Sequence, residues 1–291
     1  MFECEECSVT LVTEETVSLP PRKPDTHKGN YGKVLLVGGS VGFSGSINLA
    51  SRAAVRTGAG LVYLGVPEKI WSVCAVKNDE AMPHPLACDA EGRLSSAAIF
   101  RLCELWKPCN VLAVGPGLGR SDHIREIVRF VLQRYPGKIL LDADALWAVS
   151  DAPEILREAE GRTVITPHEG EFALLGGNVT GRRVTDARMF SEKYGCVTVL
   201  KGFGTVVAFP DGAKYVISAG NPGMAKGGSG DVLTGTLAAL LGQLPLKKAV
   251  LTGTWLHSAA GDVCAAEKGE YGMTPTDIIE KLPYIMKKIT R

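Results

Sequence analysis

"KVLLVGGSVGFSGSINLASRAAVRTGAGLVYLGVP", residues 33–67, is the stretch whose reading decides the fold. It opens with "KVLLVGG" (33–39), a short apolar run ending in glycines. A run without alternation reads as a strand buried on both faces, the pattern of a parallel sheet. "SVGFSGS" (40–46) follows as a glycine- and serine-rich loop, and "INLASRAAVRTGAG" (47–60) carries helical spacing that stops at Gly58. "LVYLGV" (61–66) is a second buried strand, after which Pro67 suits the first turn of another helix. Strand, helix and strand in this order make a βαβ unit.

The alternation runs on. "VLAVGPGLG" (111–119) is a strand entering a glycine loop, and "HIREIVRFVLQRY" (123–135) is an amphipathic helix. "KILLDADAL" (138–146) is a strand ending in two aspartates on one side, Asp142 and Asp144, within reach of Mg²⁺ through water or serving as ordinary turn and cap residues. "RTVITPHEGEFALL" (162–175) reads as strand, turn and helix. "VTVLKGFGTVVAF" (197–209) and "KYVISAG" (214–220) add an antiparallel portion, and the chain from Asp231 onward is mostly helical. Strands alternating with helices predict an α/β fold, a central, mostly parallel β-sheet with helices on both faces. No linker, repeat or low-complexity stretch divides residues 1–291, so a single domain is expected.

Composition narrows the partner. Hydrophobic residues make up 45% of the chain, enough for a substantial core, and 32 Lys and Arg nearly cancel 31 Asp and Glu. That balance leaves no electrostatic footprint for nucleic acid or an acidic membrane surface, which points to a small-molecule partner. The N-terminal "MFECEECSVTLVTEETV" is acidic and lacks an apolar h-region, so no signal peptide is expected. No stretch is uncharged and apolar for the roughly 18 residues needed to span a bilayer. Eight cysteines, with Cys74, Cys103, Cys196 and Cys264 inside apolar runs, read as reduced thiols, and the location expected is cytoplasmic. Cys4 and Cys7 have C-x-x-C spacing, but no second pair of ligands matches it for zinc.

In open α/β sheets, ligands bind beyond the carboxyl ends of the strands, where glycine clusters recur in this chain. There is no G-x-x-x-x-G-K-[ST], and in "VGPGLGR" Arg120 stands where a dinucleotide fingerprint needs glycine. "AKGGSGD" (225–231) is the stronger signal. Gly227, Gly228 and Gly230 let successive amides turn toward one anion at a helix start. A carboxylate there, Asp231, either caps the helix or takes a proton from a hydroxyl that attacks phosphorus. His168, just past a strand, is a candidate ligand contact or a structural helix-start histidine. Lys201 is either a nucleotide contact or part of a hairpin turn containing Gly202 and Gly204.

"HKGNYGKVLLVGGS", "AAVRTGAGLV", "VGPGLG", "LDADAL", "ITPHEGE", "VLKGFGTVVAFPDG" and "NPGMAKGGSGDVLTG", in this order from His27 to Gly235, resemble the NAD(P)H-hydrate dehydratase family of the ribokinase-like superfamily. The resemblance implies a ribokinase-like fold and a stand-alone dehydratase, without the family's epimerase domain. It implies repair of the S epimer of hydrated NADH or NADPH with ADP as phosphoryl donor and Mg²⁺ as cofactor. Asp231 activates the ring hydroxyl, a phosphoryl group moves to it, and phosphate leaves. By the matching motifs, Ser46, Gly117, His168 and Asp231 line the hydrate site, with Ser46 where the family carries alanine. Lys201, Gly202, Phe203, Gly204, Thr205 and Gly230 hold the AMP portion; no residue is assigned to the metal. The family's tetrameric assembly and a separate epimerase partner are further expectations.

Two rival readings use the same residues. A ribokinase-like small-molecule kinase would need the same nest and aspartate but release a phosphorylated product. A non-catalytic nucleotide-binding regulator predicts binding indifferent to Asp231→Asn, although a carboxylate at an anion site weakens simple binding.

Overall fold

The computed structural model describes residues 9–291; Cys4 and Cys7 lie outside them. In chain order the elements are β1 (Thr10–Val12), β2 (Lys33–Val37), α1 (Ser44–Arg56), β3 (Leu61–Pro67), α2 (Glu68–Lys77), β4 (Met82–Leu86), α3 (Ala98–Trp106), β5 (Val111–Val114), α4 (Asp122–Arg134) and β6 (Lys138–Leu141). They continue with α5 (Asp144–Val149), β7 (Thr163–Ile165), α6 (Glu169–Leu174), α7 (Arg183–Tyr194), β8 (Val197–Leu200), β9 (Val206–Ala208), β10 (Lys214–Ile217), α8 (Ser229–Leu241), α9 (Leu246–Gly272) and α10 (Pro275–Ile289). The ten strands form one sheet in the order β1-β10-β9-β8-β7-β6-β5-β2-β3-β4. Only β9 runs against its neighbours, as the antiparallel reading of 197–220 expects.

The buried runs have the two-sided burial that parallel strands require. Along β2, Val34 and Leu36 join a core built with α1, α8, α9 and α10, while Leu35 and Val37 join the opposite core with α3, α4 and α5. β4, "MPHPL", was not foreseen, because two prolines disqualify a central strand; it lies at the sheet edge, where proline is tolerated. Two local expectations need correction. The helix after β2 begins at Ser44, so Ser46 sits in its first turn and not in a loop. Pro67 closes β3 and caps α2 from outside its first turn.

Strand order reverses between β2 and β5: the chain steps outward through β3 and β4, then resumes on the other side of β2. The loops after those two strands diverge there, yet remain tied. Gly39 N donates to Pro116 O at 2.7 Å and the Ser40 hydroxyl donates to Gly117 O at 2.8 Å. A crevice at such a switch point is where open α/β sheets receive ligands.

Candidate active site

α8 starts at the end of a glycine turn. Gly228, at φ +100°, occupies the cap position, and no side chain caps the helix. Asp231 is therefore the third residue of α8 and its carboxylate is free for another task, which removes the capping reading. Ser229 N donates to Lys226 O and Val232 N to Gly228 O, while the amides of Gly227, Gly228, Gly230 and Asp231 meet no acceptor among the described residues. Unpaired amides at a helix start form an anion receptor.

One turn into α8, Gly235 lets α1 approach to contact: a Cβ there would lie 2.0 Å from Ala50 O. Asp231 is one turn before Gly235, as Ser46 is one turn before Ala50. The close crossing thus brings the two side chains together, and the Ser46 hydroxyl beside Asp231 acts to lower its pKa. Gly117 completes this corner, its α-carbon facing Phe43 O and the Ser46 Cβ. Burial and the nearby Asp142 charge raise the Asp231 pKa to about 6, against the lowering effects of Ser46 and Lys201. A carboxyl titrating there is mostly ionised at pH 7 and remains a competent proton acceptor.

Asp142 and Asp144 do not share a side. Ala143 between them has φ +48°, a strained conformation for a residue with a Cβ, and it turns the two carboxylates apart. Buried Asp142 accepts from Lys201 Nζ at 2.9 Å and from the Thr234 hydroxyl at 2.8 Å. Asp144 accepts from Gly119 N at 2.9 Å, fixing the loop after β5. Among the described residues no three His, Cys, Asp or Glu side chains converge as a metal site.

A cavity of about 620 Å³ opens beside the start of α8. Lys201, Gly202, Phe203, Gly204, Thr205 and Gly230 all line it. Lys201 is held as a cation: burial disfavours its charge, but Asp142 and Glu171, whose Oε2 is 3.6 Å from Nζ, outweigh that and raise its pKa. His168 lies on this same wall. Its Nδ1 accepts from Glu171 N at 3.2 Å and Glu171 returns a bond to His168 N at 2.8 Å, a reciprocal cap that leaves the proton of the neutral ring on Nε2.

Sequence reasoning missed His257. Its Nε2 is 3.0 Å from Ser229 O, so this nitrogen donates, and the ring braces the first turn of α8 from the cavity wall. Burial first, with Lys201 adding to it, lowers its pKa to about 4 against the raising effect of the Ser229 bond, so the ring is neutral. No motif marks "TWLHSAAG"; the residue reaches the site only because α9 packs beneath α8. Asp262, also on α9, accepts from Gly220 N and Asn221 Nδ2, both at 2.9 Å, and fixes the other rim.

The profile of a family described as NAD(P)H-hydrate dehydratase matches residues 34–284. The bifunctional NAD(P)H-hydrate repair enzyme of Moorella thermoacetica is 41% identical over 276 residues, covering 93% of this chain and 52% of that protein. The chain thus spans about half the length of such relatives. The ADP-dependent (S)-NAD(P)H-hydrate dehydratase of Staphylococcus aureus is 32% identical over 285 residues, with 97% of this chain and 98% of that one covered. The crystal structure of the ADP/ATP-dependent NAD(P)H-hydrate dehydratase of Bacillus subtilis, co-crystallised with ATP/Mg²⁺, superposes with a TM-score of 0.83 at 29% identity, covering 97% of this chain and 99% of that one. The fold is ribokinase-like, as the resemblance of the motifs implies. On the profile match and the extent of these similarities, the chain belongs to the NAD(P)H-hydrate dehydratase family.

Proposed function

We propose that this chain dehydrates the S epimer of hydrated NADH and NADPH, using ADP and releasing AMP and phosphate. The observation that carries the reading is Asp231 itself: a half-buried carboxylate with its pKa raised to about 6, in the first turn of a helix whose uncapped amides adjoin a 620 Å³ cavity. Asp231 takes the proton of the ring hydroxyl as that oxygen attacks the terminal phosphorus of ADP. The P–O bond to AMP breaks, and the amides at the start of α8 receive the migrating negative charge. Phosphate then leaves from the ring carbon with its C–O electron pair, a ring proton is lost, and the double bond of NAD(P)H returns. Ser46, Gly117 and His168 belong to the hydrate's side, and Lys201, Gly202, Phe203, Gly204, Thr205 and Gly230 to the nucleotide's. ADP is favoured by the Staphylococcus aureus relative, which is named for it. With no three-ligand cluster among the described residues, Mg²⁺ would be held chiefly by the nucleotide's phosphates and water.

The same family reading extends to one domain over residues 1–291, a homotetramer, and a cytoplasmic role beside a separate epimerase. Among the described residues no helix is long and apolar enough to cross a membrane. The deciding experiment follows reduced-nicotinamide absorbance after purified hydrates are mixed with enzyme, Mg²⁺ and either ADP or ATP. Recovery with ADP, lost in Asp231→Asn, is the expected result. No recovery with either nucleotide overturns the reading and turns attention to small-alcohol phosphorylation.

A further inference from the structure

The loop between β8 and β9 is asymmetric in its hydrogen bonding. Arg183, the first residue of α7, extends its guanidinium behind the loop and donates to four carbonyls. These are Leu200 O at 3.1 Å and Lys201 O at 3.0 Å from Nη2, and Phe203 O at 2.5 Å and Gly204 O at 3.1 Å from Nη1. The two remaining carbonyls are also taken: Gly202 O by the Thr205 hydroxyl at 3.1 Å, Thr205 O by Ile217 N at 2.9 Å. Every carbonyl from Leu200 to Thr205 is thus satisfied inside the protein. The amides tell the opposite story. Lys201 N donates to Pro167 O, but those of Gly202, Phe203, Gly204 and Thr205 find no acceptor among the described residues.

Backbone amides left unpaired beside a cavity need oxygen atoms from somewhere. We propose that Arg183 is a positioning residue for the nucleotide: by drawing the loop's carbonyls to its own side, it leaves four consecutive amides on the cavity wall for the nucleotide's phosphate or ribose oxygens. It touches no substrate in this role and acts through the loop. The Glu169 carboxylate, with Oε1 3.1 Å from Arg183 Nε, steadies the guanidinium from α6. Gly202 faces it so closely that a Cβ would lie 2.6 Å from Nη2. A lysine could keep the charge but not span four carbonyls, because a point-like ammonium lacks the planar fork.

The inference rests on the nucleotide reading of this cavity, and the test separates the two. ADP and ATP are titrated calorimetrically into the wild-type chain, Arg183→Lys and Arg183→Gln, and steady-state kinetics are run on all three. Wild type that binds neither nucleotide overturns the nucleotide reading itself. With wild-type binding established, both variants should raise the nucleotide KM about ten-fold or more, the scale of losing one or two well-made hydrogen bonds. Their kcat at saturating nucleotide and their KM for the hydrate should stay within about three-fold of wild type, because the Asp231 corner is untouched. Amide hydrogen exchange gives a second readout that needs no activity: saturating ADP should slow exchange at 202–205 in wild type and slow it less in Arg183→Lys, while that of β9 is the same in both. Wild-type affinity in Arg183→Lys, or a loss confined to kcat, overturns the inference.

Discussion

The wall from Lys201 to Thr205 and the corner of Ser46, Gly117 and Asp231 flank the same helix start but are made of different material. The wall offers backbone: unpaired amides, with the Lys201 cation held between Asp142 and Glu171. The corner offers side chains, one hydroxyl and one carboxylate that is partly buried and has its pKa raised to about 6. Backbone donors cannot be protonated or lost, so they suit a phosphate that must be held through a change of charge. A proton acceptor must change state during turnover, and burial next to Asp142 tunes Asp231 for that. On the proposed function, binding and proton transfer fall to separate groups, so they should fail separately.

Asp231→Asn tests the division most severely. It should lower kcat by about a thousand-fold or more, the upper range for removing a general base, while ADP affinity by calorimetry changes little or improves. A parallel loss of affinity would break the comparison. Gly235→Ala comes next. Its new Cβ meets Ala50 O at 2.0 Å, so α1 and α8 must part. The thermal melt should show a loss of ~2 kcal/mol or more, with kcat falling and the nucleotide KM unmoved.

The third test concerns pH. The folded pKa of Asp231, about 6, lies above its unfolded value of 3.8, so the folded state holds that proton more tightly. The resulting stability is fully present below about pH 4 and is lost as pH rises through about 6. At pH 7 the ionised carboxylate is a net cost, and Asp231→Asn should melt higher than wild type by on the order of 2 kcal/mol. The difference should vanish toward pH 4, and a destabilised variant at pH 7 would refute the argument. Activity should show an acid limb near pH 6. The smallest effect is expected from Ser46→Ala: the hydroxyl lowers the Asp231 pKa, so its removal should move that limb upward in a pH–rate profile.

The βαβ alternation, the antiparallel strands after residue 197 and the glycine turn before Asp231 were legible because each is written in local pattern: apolar runs, helical spacing and residues that permit positive φ. The cavity wall from Lys201 to Thr205 was legible for the same reason, its members being neighbours in the chain. Arg183, His257 and Asp262 carry no local sign. Each reaches the site from a helix packed behind it, and many surface or core residues share their sequence surroundings. The opposite turns of Asp142 and Asp144 were equally hidden, since period-two reasoning ends where the strained Ala143 begins.

The sequence by itself determined the layered sheet, the glycine turn before α8 and the identity of the carboxylate beside it. Those features follow from backbone geometry over a few residues, which glycine, proline and apolar spacing control directly. Only the tertiary structure decided that Asp231 is free of capping duty, that Ser46 meets it, and that Lys201 is bound to Asp142 59 residues away in the chain. Such pairings depend on how closely two helices or strands approach. That distance is set by side chains at the crossing, here the absence of one at Gly235.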